Sequence, residues 1–211
     1  MAKSSPNHSS TGVILLGGEL AVAAAVKALV KRHRPLLCAD GGARHAKRLS
    51  LEPDFIVGDM DSLPKPLPRW GRAVFWCDFD EERSDFDKVL DFAIDIGLHR
   101  VYVAGVMGGG VDHALVNLAI IAARSAEIEI ILVDDGTASL MGPGNYRLDY
   151  AKGRRFSLLS LPPGARVSLS GARYALKKQL LIPGSRGLGN AAQGRVALRV
   201  HSGRVWLMQG L

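Results

Sequence analysis

Pro53-Asp54-Phe55-Ile56-Val57-Gly58-Asp59-Met60-Asp61-Ser62 is an apolar run that stops abruptly at a glycine and two carboxylates. Its centre, Phe55-Ile56-Val57, suits a strand covered on both faces, as strands of parallel sheets are. The same grammar recurs on both sides. Val13 to Leu16 is followed by Gly17-Gly18, Pro35 to Ala39 by Asp40-Gly41-Gly42, and Arg100 to Ala104 by Gly105. Ala73 to Cys77 and Ile128 to Val133 are further strand candidates. Between these runs, Leu20 to Lys31, Ser84 to Ile96 and Asp112 to Ser125 place apolar residues at helical spacing behind a glycine or a capping residue. Strands alternating with helices predict an α/β domain over residues 11–141, an open and largely parallel sheet with flanking helices.

After Asp134 the texture changes. Gly and Pro punctuate short runs rich in Val, Leu and Ser, and no helical periodicity is left. Arg155 to Leu161, Ala165 to Leu169, Arg195 to Val200 and Arg204 to Met208 read as antiparallel strands, joined by turns such as Pro162-Pro163-Gly164. A small, sandwich-like all-β domain is therefore expected over 142–211, with the boundary near Gly142 to Tyr146. Residues 1–10 are polar and Ser-rich and read as a disordered lead-in.

Composition narrows the class. Of 211 residues 47% are hydrophobic and 22% charged, which suits a folded globular chain. The stretch Leu20 to Val30 contains Lys27 and is shorter than the roughly 20 apolar residues of a membrane span. The polar N-terminus has no secretory apolar region, which points to the cytoplasm. Cys38 and Cys77 both sit in apolar strand-like runs, so buried thiols in a reducing compartment are expected rather than a disulfide. A net charge of +7 favours anionic partners. The basic residues are scattered, and Lys27 to Arg34 reads as a solvated helix end, so phosphorylated small molecules are preferred to nucleic acid.

In open α/β sheets ligands gather at the carboxyl ends of strands, where this chain keeps its acids and glycines. Asp59 and Asp61, one residue apart, can direct oxygens at one hard cation. Mg²⁺ prefers one or two carboxylates together with water and substrate phosphates. With Asp40 and Asp85 nearby, such a cluster is costly without a cation. An alternative for Gly-Asp-x-Asp-Ser alone is a turn capped by its own side chains. Gly108-Gly109-Gly110, ahead of Val111-Asp112-His113, can bring backbone amides against phosphates at a helix start, or form a plain turn with Asp112 as cap. No acid–base role is assigned to His113.

Read together and in order, Ala39-Asp40-Gly41-Gly42-Ala43, Gly58-Asp59-Met60-Asp61-Ser62, Ser84-Asp85-Phe86-Asp87-Lys88 and Gly108-Gly109-Gly110-Val111-Asp112-His113 resemble the thiamine pyrophosphokinase family. The likeness continues through Gly171 to Leu176, Gly187-Leu188-Gly189-Asn190 and Val205-Trp206-Leu207-Met208. It implies a homodimer with active sites between subunits, and pyrophosphoryl transfer from ATP to thiamine. Carried onto this chain, it implies Asp59 and Asp61 as Mg²⁺ ligands with Asp40 and Asp85 completing the acidic surround. Ser62, Lys88, Gly108, Gly109, Asp112 and His113 then lie along ATP and its phosphates, and Asn190 and Trp206 on the thiamine side. Gly110 stands where the family usually has Arg, a cation that Arg83 is a candidate to replace. Gly189 stands for a Ser, and Glu81 for a Gln. Competing readings are transfer to a hydroxymethylpterin, a nonenzymatic nucleotide sensor and, last, nucleic-acid binding.

Overall fold

The computed structural model describes residues 11–210, so the lead-in expected over 1–10 lies outside the described residues. The chain divides into two compact units, one running through Asp135 and the other beginning at Gly136.

The first unit is built on parallel strands Thr11–Leu15 (β1), Leu36–Ala39 (β2), Phe55–Gly58 (β3), Val74–Cys77 (β4), Arg100–Ala104 (β5) and Glu129–Val133 (β6). They lie in the order β4-β3-β2-β1-β5-β6, with Val13 opposite Leu36 on one side and Tyr102 on the other. Strands β1 to β4 progress in one direction and β5 and β6 in the other. The order therefore reverses between β1 and β5, the point where a doubly wound sheet opens a crevice at its strand ends. Helices Ala23–Arg32 (α1), Ala43–Leu49 (α2), Asp85–Asp95 (α3) and Val111–Arg124 (α4) connect the strands.

Burial explains the pattern of these elements. Val13, Leu15, Leu36, Cys38 and Ile56 are buried together with Val26 and Val30 of α1 and Ala46 of α2. Each large apolar side chain removed from water in this way contributes about 1.5–3 kcal/mol. Helix α3 is capped by Ser84, whose hydroxyl accepts the Asp87 N–H at 3.3 Å, and it buries Phe86, Val89, Leu90 and Ala93. Helix α2 was not foreseen. It spans only seven residues, and Arg44, Lys47 and Arg48 interrupt the buried positions Ala43, Ala46 and Leu49 in the sequence. Cys38 is buried as expected, but Cys77 is exposed. Among the described residues its strand β4 pairs with β3 alone, at the sheet edge, and leaves Val74 and Trp76 half open to solvent.

The second unit comprises Gly136–Met141 (β7), Gly144–Leu148 (β8), Arg155–Ser160 (β9), Ala165–Ala172 (β10), Leu176–Leu181 (β11), Asn190–Ser202 (β12) and Val205–Gly210 (β13). One antiparallel layer runs β7-β13-β9, the other β8-β12-β10-β11. Strand β12 belongs to both, since Asn190 and Ala191 pair with β9 before the strand continues between β8 and β10. Phe156, Leu158, Val205 and Leu207 of one layer meet Val167, Leu169, Val196 and Leu198 of the other in a single core. The division falls at Gly136 because β7 pairs along its whole length with β13.

Candidate active site

Asp40, Asp59 and Asp61 converge. Each offers a carboxylate oxygen within 4.8 Å of the others, although they come from the ends of two different strands. Asp40 follows β2 and is fully buried, while Asp59 and Asp61 follow β3 and are exposed. The approach depends on Gly58, whose φ is +146°. A Cβ there would lie 2.8 Å from the Asp40 Cβ and 2.9 Å from an Asp85 oxygen. Met60 takes a φ of +72°, a left-handed step that turns the chain between the two exposed carboxylates. The turn is held by its own hydrogen bonds: the Asp61 N–H donates to Asp59 Oδ1 at 3.2 Å, and the Ser62 hydroxyl to Asp61 Oδ1 at 2.8 Å.

Asp40 is the unusual member. Its Oδ2 accepts the Ser62 N–H at 2.9 Å, but its buried Oδ1 has no partner. A buried carboxylate oxygen left unmatched costs free energy, and a cation is the partner such an oxygen lacks. Burial pushes the Asp40 carboxyl up to about 6; the Ser62 N–H opposes this, and Asp85 and Asp59 add to it. The Asp61 N–H holds Asp59 below its ordinary value, aided by Asp40 and Lys88. Two neighbouring carboxylates are thus driven apart in acidity.

Asp85, the first residue of α3, faces the same cluster, and its carboxyl is raised by burial, partly offset by Lys88 and reinforced by Asp59, Asp61 and Asp78. The Lys88 side chain is only 3% exposed. Its ammonium lies 3.9 Å from Asp85 and donates to the Asp78 carbonyl at 3.0 Å, tying α3 to the end of β4. Asp78 is a residue that the sequence reading missed. It follows β4 just as Asp40 follows β2, so the rule of acids after strands, applied evenly, finds it.

The glycine loops meet beside β1 and β5. The Gly18 N–H donates to the Gly105 carbonyl at 3.0 Å, and a Cβ on Gly18 would sit 2.2 Å from the Met107 carbonyl. Gly108 and Gly109 have φ of +89° and +80°, and nothing lies within 4 Å of a Cβ built on Gly109. Asp112 and His113 are exposed in the first turn of α4. Arg83, the candidate to replace the cation absent at Gly110, is engaged on α3. Its guanidinium pairs with Asp91 and lies 3.7 Å from Asp87 on α3. Arg44, unremarked in the sequence, reaches the Gly41 carbonyl at 3.2 Å and the Gly17 carbonyl at 3.4 Å, bridging two strand-end loops.

Asn190 and Trp206 belong to the second unit. Asn190 is buried, its Oδ1 accepting the Tyr174 and Ala191 N–H groups and its Nδ2 donating to the Tyr174 carbonyl. It clasps the Tyr174 segment to the start of β12. Trp206 is 5% exposed, and it alternates with Val205 and Leu207, which enter the core. Its indole therefore occupies the opposite face of the β7-β13-β9 layer.

The description of the thiamin pyrophosphokinase catalytic domain matches residues 26–132, half of the chain and the stretch that holds all four aspartates. The chain belongs to the thiamin pyrophosphokinase family. Thiamine pyrophosphokinase 1 of Oryza sativa subsp. japonica is 24% identical over 177 residues, covering 69% of this chain and 66% of that protein. Thiamine pyrophosphokinase of Bacillus subtilis (strain 168) is 24% identical over 138 residues, covering 61% and 64%. The matched stretches thus span just under two thirds of these relatives. Among solved structures, thiamine pyrophosphokinase from Bacillus subtilis superposes with a TM-score of 0.80 at 20% identity over 95% of this chain and 98% of that one. Thiamin pyrophosphokinase from Candida albicans gives 0.79 at 14% identity over 100% and 96%. At such identities the structures establish a shared fold for this family member, an α/β unit followed by a sheet-rich, sandwich-like unit.

Proposed function

We propose that this chain is a thiamine pyrophosphokinase, converting ATP and thiamine to AMP and thiamine diphosphate. The observation that carries the reading is the convergence of Asp40, Asp59 and Asp61, with an orphaned buried oxygen on Asp40, inside the family's catalytic domain. In the reaction the thiamine hydroxyl oxygen bonds to the β-phosphorus of ATP. The bond from that phosphorus to the oxygen bridging it to the α-phosphorus breaks, AMP departs with the bridging oxygen, and the hydroxyl proton is released.

Positioning and charge neutralisation dominate such transfers. The donor set fits a hard divalent ion: Asp59 and Asp61 would hold Mg²⁺, with Asp40 as third carboxylate, and the bound ion would offset phosphate charge. The Ser62 amide fixes one Asp40 oxygen and leaves the other for the site. The raised pKa of Asp85 and its nearness to Lys88 support a role for it in orienting the hydroxyl and accepting its proton. Ser62, Lys88, Gly108, Gly109, Asp112 and His113 are assigned to ATP, and Asn190 and Trp206 to the thiamine side. Three hydrogen bonds tie the Asn190 amide to the backbone and use one of its two Nδ2 hydrogens, so Asn190 shapes that side and keeps one N–H to offer it.

A cytoplasmic homodimer belongs to the same reading. Among the described residues no helix is long and apolar enough to cross a membrane. Val111, Leu115 and Val116 of α4 stand exposed, Val111 at 76%, an apolar face suited to a second copy. The test is product analysis: protein incubated with ATP, MgCl₂ and thiamine should yield AMP and thiamine diphosphate in equal amounts. ADP with thiamine monophosphate, or no product, would overturn the assignment.

A further inference from the structure

The second unit carries twelve Lys and Arg against one acid, Asp149, whereas the chain through Asp135 carries fifteen against nineteen. The chain's positive charge is thus a property of the β-unit alone. Some of it is gathered on the outer face of the β8-β12-β10-β11 layer, in a groove of about 720 Å³ lined by Arg147, Lys177, Lys178, Arg199 and His201 with no Asp or Glu. Its floor is built by register. Arg199 pairs with Ser168 of β10 on one side and Asn145 of β8 on the other, and Arg147 lies opposite Ala197.

The rim is shaped by an irregularity. The β10–β11 ladder shifts register between Val167 and Leu169, Lys178 takes a φ of +48°, and its N–H donates to the Ser168 hydroxyl at 3.0 Å instead of to a strand carbonyl. Regular alternation would send Lys177 and Lys178 to opposite faces, yet both are exposed and both line the groove. The Ser168 hydroxyl also meets His201 Nε2 at 2.8 Å, and Arg166 donates to the Lys178 carbonyl at 3.2 Å. Partial burial, with Arg199, Lys178 and Arg166, holds His201 below its ordinary pKa. Like charges crowded on one sheet face repel, and nothing anionic among the lining residues offsets them.

We infer that this groove is an anion site for a compact polyphosphate, two or three adjacent phosphate groups, separate from the aspartate cluster. Its size falls in the range of small-ligand sites, roughly 300–1,000 Å³. A nucleic-acid strand fits less well. Base stacking needs an open aromatic platform, but the groove's one Tyr, Tyr146, packs against the core and donates its hydroxyl to the Gly142 carbonyl at 2.8 Å.

The experiment is calorimetric titration of the full chain with sodium tripolyphosphate in EDTA, which keeps the carboxylate cluster without a metal. One equivalent should bind, with affinity falling steeply as salt rises. The Lys178→Gln/Arg199→Gln double variant should bind at least tenfold more weakly while keeping wild-type melting and Mg-ATP turnover, and Asp59→Asn should bind as wild type. Undiminished binding by the double variant, or none by wild type at millimolar ligand, would overturn the site. A 20-nucleotide single strand that binds more tightly than tripolyphosphate and is lost in the same variant would overturn the choice of ligand. Because no step needs thiamine or turnover, failure here leaves the proposed reaction untouched, and failure of that reaction leaves this site untouched.

Discussion

Asp40 bears the conflict between stability and site chemistry most directly. Its folded-state carboxyl is raised to about 6, so the folded chain binds that proton more tightly than the unfolded chain does. Metal-free stability from this group is therefore full at low pH and is lost as pH rises from about 4 through about 6. Asp40→Asn keeps an acceptor for the Ser62 N–H and removes the buried charge. It should stabilise the metal-free protein at pH 7–8 by on the order of 1–3 kcal/mol, flatten the pH dependence of melting, and abolish turnover. Unchanged or lower melting would show that the buried charge is not a strain on the fold. Gly110 is a second case. The family's usual Arg suggests that Gly110→Arg should restore a phosphate contact, but Gly110 has a φ of +124° and a Cβ there would meet Asp112 Oδ1 at 2.5 Å. The substitution should cost roughly 1–3 kcal/mol in melting and fail to lower the ATP KM. A lower KM with unchanged melting would contradict the geometry. The aspartates were legible because acids after apolar runs are rare and costly. The backbone of Gly110 was not, since no residue type announces its own φ.

Elements differ in how openly the sequence declares them. Strands β1, β2, β3, β5 and β6 read clearly because burial on both faces demands unbroken apolar runs. Helix α2 and strands β7, β8 and β11 did not, being short and rich in polar or small residues, their conformation set by partners far along the chain. Strand β11, Leu176-Lys177-Lys178-Gln179-Leu180-Leu181, has two lysines where alternation would put one, and only the irregular pairing explains it. Exposed Cys77 has the same origin: an edge strand can read as apolar without being covered. At the start of β12, Asn190→Ala removes three hydrogen bonds and strands the Tyr174 backbone. Melting should fall by about 2–4 kcal/mol, with the KM values for thiamine and ATP altered to a similar degree. A tenfold rise in thiamine KM alone, at wild-type melting, would instead make Asn190 a direct ligand contact.

At the scale of the whole molecule, the change of periodicity after Asp134 signalled a second unit, but its start was expected near Gly142 to Tyr146, and both the division at Gly136 and the partition of charge lie beyond that reading. Association of two copies is a further consequence of surface composition. Leu115→Glu on α4 should leave melting within about 1 kcal/mol of wild type, since Leu115 is exposed, yet move sedimentation toward monomer and reduce turnover. An unaltered sedimentation coefficient would exclude this face. The central claim is that carboxylates gathered from the ends of β2 and β3 form the pyrophosphoryl-transfer centre, and it is tested most directly by comparing AMP and thiamine diphosphate formation in wild type and Asp61→Asn at saturating ATP, thiamine and Mg²⁺. Wild type should form both products in a one-to-one ratio, and the variant should lose at least a hundredfold in turnover, about 2.7 kcal/mol of barrier, with unchanged melting. Wild-type turnover in well-folded Asp61→Asn would contradict the account.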